Sequence, residues 1–226
     1  MLGRRKLGFV KQRLASSKAA FGVHFDPVGE RISLVDEKGA PIEDERALLV
    51  VLDLVAAECA GGTVALPVTT TRVAEQVAAF HGVDIRWIAT TPAAVTSAVG
   101  EPDVVFGGDG RGGFVVPKFS TTYDGIAAFV QLVGLVARTQ LQLSEIDARI
   151  PRSHMSRRAV PTPWAAKGLV MRAVVEAAGA LPLDTTDGVR VLERDGSWAL
   201  VLPDPAEPLT HVLAEAADDA AATALL

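Results

Sequence analysis

Ala47-Leu48-Leu49-Val50-Val51-Leu52-Asp53-Leu54-Val55-Ala56-Ala57-Glu58-Cys59-Ala60, followed by Gly61-Gly62 and then Thr63-Val64-Ala65-Leu66, is the stretch that decides the fold. The apolar run is too long for a strand and is stopped by a glycine pair of the kind that ends a helix. The short run after it is apolar on both faces, as a strand buried inside a sheet must be. Working outward, Thr69-Thr70-Thr71 offers an N-cap for a helix reaching about Phe80, and Gly82 closes it. Val83 to Ile88 and Val104 to Phe106 read as further strands, and Asp124 caps a long apolar helix to about Arg138. Towards the N-terminus, Phe21 to Phe25 and Ile32 to Val35 read as two strands around a tight loop, with Asp36 to Gly39 a turn. Strands alternating with helices at short spacing predict an α/β unit with a parallel sheet.

A second unit begins near Pro151. The prolines and arginines of residues 151–163 suit a linker. Trp164 to Ala178 reads as a helix stopped by Gly179, and Val189 to Glu193, Trp198 to Leu202 and His211 to Glu215 read as strands. The first two of these strands join through a turn at Arg194-Asp195-Gly196-Ser197, and Asp218 to Leu226 reads as a terminal helix. The expected organisation is residues 1–35 as a basic end with a short strand pair, 36–150 as the α/β unit, 151–163 as linker and 164–226 as a small α+β unit.

Composition narrows the function. Hydrophobic residues at 49% and charged residues at 22% belong to a folded globular chain. A net charge of −5 leaves no basic surplus for neutralising phosphodiesters, so no nucleic-acid partner is expected. The first 18 residues concentrate Lys and Arg without an acid, yet lack the apolar core of a signal peptide. No apolar run is long enough for a membrane span, so no membrane partner is expected. The single Cys59 excludes an internal disulfide, fits a reducing cytoplasm, and reads as filler within the apolar helix. His24, His81, His154 and His211 show no metal-ligand spacing.

Three loops carry the chemistry: Asp26-Pro27-Val28-Gly29-Glu30-Arg31, Gly108-Asp109-Gly110-Arg111-Gly112-Gly113, and Leu202-Pro203-Asp204-Pro205-Ala206-Glu207-Pro208. Their order and flanks resemble the α-D-phosphohexomutase family, which includes phosphomannomutase, phosphoglucomutase and phosphoglucosamine mutase. The wording Phe106-Gly107-Gly108-Asp109-Gly110-Arg111-Gly112-Gly113-Phe114 is similar to the mutase-like half of bacterial fusions with mannose-1-phosphate guanylyltransferase. The resemblance implies the end of domain two within residues 1–35, domain three over 36–150 and a truncated domain four over 164–226. It also implies a hexose phosphate as ligand, Mg²⁺ as cofactor, intramolecular phosphoryl transfer as the activity, and further mutase or guanylyltransferase domains as partners.

Each loop departs from the family pattern. Where relatives place three aspartates around Mg²⁺, this chain keeps Asp26 and Glu30 at the first and third positions, has Val28 between them and retains Arg31. The expectation is no metal or weak Mg²⁺ binding; the competing reading is a strand–turn–strand whose Arg31 pairs with a neighbouring acid. In the sugar loop Asp109 keeps an acid, whereas Arg111 replaces the Ser or Asn that bonds a sugar hydroxyl and favours a carboxylate or phosphate instead. Weak substrate contact through Arg31, Asp109 and Arg111, or a purely structural turn, both fit. The phosphate-loop remnant holds Asp204, Glu207 and His211; Asp204 would repel a phosphate at 4 Å by about 4 kcal/mol per charge pair. The family's nucleophilic serine belongs to a domain outside this resemblance, so no catalytic residue is expected and the chain alone is expected to be inactive. An active mutase completed by missing domains, and a structural or protein-interaction module of a guanylyltransferase fusion, are the alternatives.

Overall fold

The computed structural model describes residue 8, residue 10, residues 12–14 and residues 17–226. Most of the basic cluster expected over the first 18 residues lies outside the described residues. The chain divides into two compact units, Met1–Pro151 and Arg152–Leu226.

In the first unit, β1 (Gly22–Phe25) and β2 (Ile32–Val35) form an antiparallel hairpin, and β3 (Pro41–Ile42) adds to β2. Next come α1 (Asp44–Ala56), β4 (Thr63–Pro67), α2 (Val73–Phe80), β5 (Asp84–Ile88), α3 (Pro92–Ala98), β6 (Val104–Gly108), β7 (Phe114–Val115), α4 (Gly125–Thr139) and α5 (Leu143–Arg149). The main sheet runs β5-β4-β6-β7, with β4 parallel to both β5 and β6 and β7 turning back antiparallel to β6. This is the expected α/β unit with a parallel sheet.

The apolar run is the centre of that unit. Every residue from Ala47 to Ala56 is buried, and α1 packs against α2, α4, α5, β2 and β6. Each buried Leu or Val removed from water contributes roughly 1.5–3 kcal/mol before chain entropy is subtracted. Asp53, alone among these residues in bearing a charge, is compensated by His81 Nε2 at 3.0 Å and by the Arg149 guanidinium. Arg46 reaches from α1 to the far end of the unit. It donates to Asp147 Oδ1 at 2.8 Å and to the carbonyls of Asp147, Ile150 and Pro151, so it caps α5. Cys59 lies beyond the helix, half-buried, and its thiol hydrogen-bonds the Val55 carbonyl; burial pushes its pKa up.

The second unit comprises β8 (His154–Pro161), α6 (Trp164–Ala178), β9 (Leu183–Asp184), β10 (Val189–Leu192), β11 (Trp198–Pro203), β12 (Leu209–Ala216) and α7 (Asp219–Ala224). Its sheet is antiparallel throughout, in the order β8-β12-β11-β10-β9. The linker expectation for 151–163 is corrected here: His154 to Pro161 pairs residue for residue with β12, from His154↔Ala216 to Pro161↔Leu209. Arginine and proline disguised this strand because it lies at a sheet edge, where charge and a missing N–H are tolerated. Trp198 is the largest buried side chain of this unit, and its indole N–H donates to Glu215 Oε2 at 2.7 Å.

Candidate functional site

The hairpin β1–β2 aims the 26–31 loop at the 108–113 loop, which follows β6. Within the first loop, Asp26 Oδ1 accepts from the backbone N–H of Glu30 at 2.8 Å and of Arg31 at 3.1 Å. The Asp26 N–H donates to the Arg31 carbonyl at 3.0 Å, closing the turn, and Gly29 supplies its positive φ of 77°. Within the second loop, Asp109 Oδ1 accepts from the N–H of Arg111 and of Gly113, each at 3.0 Å. Each aspartate therefore caps its own loop.

The two loops then join. Arg31 Nη2 donates to Asp109 Oδ2 at 3.0 Å, with side-chain exposures of 24% and 15%, and the Ile32 N–H donates to the Gly112 carbonyl at 3.0 Å. Gly112 has φ of 83°, and a Cβ there would lie 2.3 Å from the Ile32 carbonyl oxygen, so only glycine permits this approach. The pairing of Arg31 with a neighbouring acid is thus present, the acid being Asp109. On the other side of the first loop, the Gly29 carbonyl accepts from the Gly125 N–H at 2.7 Å, at the start of α4. Asp124 caps α4 as expected, accepting from the Ala127 N–H at 2.9 Å.

Tyr123 completes the cluster and was not singled out from sequence. The Arg31 guanidinium lies over its ring at 5.0 Å, and the ring packs so closely on Gly113 that a Cβ there would meet it at 2.4 Å. Burial and the nearby Asp109 carboxylate push the Tyr123 hydroxyl well above its ordinary pKa. Burial opposes the charge on Arg31, but the hydrogen bond and negative charge of Asp109 outweigh it and hold the pKa above its usual value. Burial also raises the pKa of Asp44, opposed by its hydrogen bond with Ser33 and reinforced by Asp109. The Tyr123 hydroxyl and Arg31 Nε are buried without a hydrogen-bond partner among the described residues. The signal for Tyr123 was its place directly before the Asp124 cap, which brings it back beside the loop.

These residues do not fit a Mg²⁺ ion. Such an ion takes near-octahedral oxygen ligands, yet Val28 is apolar and 72% exposed, and Asp26 Oδ1 is committed to two backbone amides. Glu30 is exposed and pairs with Arg31 at 3.4 Å. Among the described residues no group of three carboxylate, imidazole or thiolate side chains is placed to hold a metal.

The 202–208 loop lies in the second unit, between β11 and β12. Asp204 Oδ1 accepts from the N–H of Ala206 at 2.7 Å and of Glu207 at 2.8 Å, and its Oδ2 lies 2.9 Å from His211 Nε2. Lys167 on α6 donates to the carbonyls of Asp204 and Glu207, and its ammonium lies 3.7 Å from the Trp164 ring centroid. The His211 hydrogen bond, followed by the two amides, lowers the Asp204 carboxyl to about 2. Thus Asp26, Glu30, Arg31, Asp109 and Arg111 come together in the first unit, while Asp204, Glu207 and His211 share one loop of the second; Lys167 was not foreseen. The 90–95 segment begins α3: Thr91 Oγ1 accepts from the Ala94 N–H at 3.2 Å, with Pro92 in the first turn.

Comparison with known proteins identifies the frame. Residues 43–153 match the family model of the phosphoglucomutase/phosphomannomutase α/β/α domain III. The probable phosphoglucosamine mutase of Methanosarcina barkeri is 31% identical over 218 residues, which cover 94% of this chain and 48% of that protein. The crystal structure of a phosphoglucomutase/phosphomannomutase family protein from Burkholderia thailandensis superposes with a TM-score of 0.78 at 20% identity, over 98% of this chain and 48% of that one. N-acetylphosphoglucosamine mutase of Aspergillus fumigatus, solved in complex with GlcNAc-6P and magnesium, shares the fold with a TM-score of 0.62 at 14% identity, over 97% of this chain and 54% of that one. The chain spans about half the length of the curated relatives it matches. With its loops in family order on this frame, the chain belongs to the α-D-phosphohexomutase family, and residues 43–153 are its domain III.

Proposed function

We propose that this chain is a sugar-phosphate module of the phosphohexomutase family that does not transfer a phosphoryl group by itself and contacts hexose phosphates weakly through Asp109 and Arg111. The observation that carries the reading is the inward commitment of Asp26, whose carboxylate caps its own loop beside the apolar Val28 rather than joining a set of metal ligands. Arg111 adds an exposed guanidinium at the rim of the sugar loop, suited to a phosphate oxygen. Domain boundaries near residues 36 and 151, a cytoplasmic setting and an origin in a guanylyltransferase fusion belong to the same proposal. The test is isomerisation of mannose 1-phosphate with a hexose 1,6-bisphosphate activator, with and without Mg²⁺. No turnover is expected from the chain alone, and robust turnover would refute the proposal.

A second reading is an active mutase completed by domains on another polypeptide. It is favoured by α4, apolar almost all round, which leaves Ile126, Val130 and Val133 exposed at 65%, 48% and 43% on one stripe. Recovery of isomerisation on adding a chain with the remaining mutase domains, and its loss with Ile126→Lys, would favour this reading over the first.

A further inference from the structure

The outer face of α4 has a regularity that a solvated helix face does not need. Its exposed apolar residues are Ile126, Val130, Val133 and Ala137, at successive spacings of four, three and four. That is the a/d spacing of a coiled-coil seam, confined to an arc of about 60° and extending about 16 Å along the axis. The opposite face is already used, since Ala128, Leu132 and Leu135 are buried in the core of the unit. Beside the seam, Phe129 packs edge-on against Phe21 and Phe25. At its N-terminal end the exposed Val28 extends the apolar surface, from the turn whose Gly29 carbonyl accepts the Gly125 N–H. A membrane-facing stripe would be bordered by lysines or arginines. The one charged side chain of α4 is Arg138, and it bonds Glu58.

We propose that this seam pairs with the same seam of a second copy of the chain, antiparallel about a twofold axis near Gln131 and Leu132. In that register each seam residue meets one whose number brings the sum to 263, so Val130 lies opposite Val133 of the second copy and Ile126 opposite Ala137. The seam is thus its own complement, as a twofold interface requires: valines meet at the centre and the largest residue meets the smallest at each end. On one flank Ala127 lies opposite Gly134 of the second copy, and these small residues let the helices approach closely. No like charges face each other, and the antiparallel arrangement opposes the two helix dipoles favourably. A seam this short falls at the small end of specific interfaces, so the dimer is weak, with a Kd on the order of 10 µM.

The experiment is sedimentation equilibrium of the full chain alone, from about 1 to 100 µM, a range that brackets this Kd. Reversible conversion from monomer to dimer is expected. Val130→Lys and Val133→Glu, both at exposed positions, are each expected to weaken the dimer at least tenfold while leaving the urea midpoint unchanged. Carrying both substitutions on one chain is expected to recover the dimer, because the antiparallel register sets each introduced cation opposite an introduced carboxylate, twice per dimer. A chain that stays monomeric at 100 µM would overturn the proposal, as would a dimer indifferent to either single substitution. A double variant no better than the singles would overturn the register. Because no other polypeptide is present, failure here leaves the face to the missing mutase domains and does not touch the sugar-loop reading.

Discussion

The 108–113 loop of the first unit and the 202–208 loop of the second satisfy their polar groups in opposite ways. The Asp109 carboxylate bonds its own loop and also Arg31, a partner 78 positions away in sequence, whereas the Asp204 carboxylate bonds groups no further than His211. The first arrangement ties the 108–113 loop to the β1–β2 hairpin; the second closes the carboxylate upon its own loop. Long-range pairing makes the loop's integrity part of the unit's stability, while local closure leaves it a private matter of one turn. Substitutions in the first loop should therefore spread, and those in the second should stay local.

The sharpest way to break the comparison is at Gly112. Gly112→Ala places a Cβ against the Ile32 carbonyl and strains a positive φ, so it should cost about 3 kcal/mol in urea unfolding. Gly29→Ala is the control: its φ is also positive, but a Cβ there meets nothing within 4 Å, so about 1 kcal/mol is expected. Equal losses would mean that the join between the loops contributes nothing.

Asp109→Ala should come next, at about 2 kcal/mol, because it strands the Arg31 guanidinium and two loop amides. Its amide-shift changes should extend to Asp26–Ile32. Changes after Asp204→Ala should stop within residues 202–211 and the Lys167 region. Spread after Asp204→Ala, or confinement after Asp109→Ala, would reverse the distinction.

The two loops should also fail at opposite ends of the pH scale. Tyr123 has a raised folded-state pKa, so its contribution is present below the ordinary tyrosine value of about 10 and is lost as pH rises beyond it. It is the chain's single tyrosine, so tyrosinate absorbance reports it directly; ionisation should coincide with loss of first-unit structure. Asp204 has a lowered pKa, so its contribution is present above the ordinary carboxyl value of about 4 and is lost as pH falls towards 2. This acid effect should be small and local, seen as movement of the Ala206 and Glu207 amides. A tyrosine titrating near 10 in the folded protein would remove Tyr123 from the buried cluster.

Much of this contrast was legible beforehand, for reasons that differ by residue. The α1 run and the Asp124 cap are local signals, and they fold as read because propensity, burial and capping agree; the glycine pair does not cap α1, which ends at Ala56 with Ala57 in right-handed backbone as its C-cap. Helix α6 likewise runs from Trp164 to its stop at Gly179. The strand His154–Pro161 was hidden because edge strands tolerate the residues that mark linkers. Within the site, the sequence pointed to Asp26, Arg31 and Asp109 individually, and pairing of Arg31 with an acid was one of the two open readings. That the acid is Asp109 is a tertiary fact that spacing cannot reveal. Lys167 was invisible for the same reason, since it reaches its loop from an element whose placement depends on the finished fold; Tyr123 carried only the hint of its place before the Asp124 cap.

The most direct test of the central claim is chemical-shift mapping of the ¹⁵N-labelled full chain with mannose 1-phosphate. The account predicts weak, saturable shifts centred on Asp109, Arg111 and Gly113, with Arg31 following through its ion pair, and still resonances at Ala206 and Glu207. Saturable shifts confined to residues 204–207, with the 109–113 loop unmoved, would contradict it.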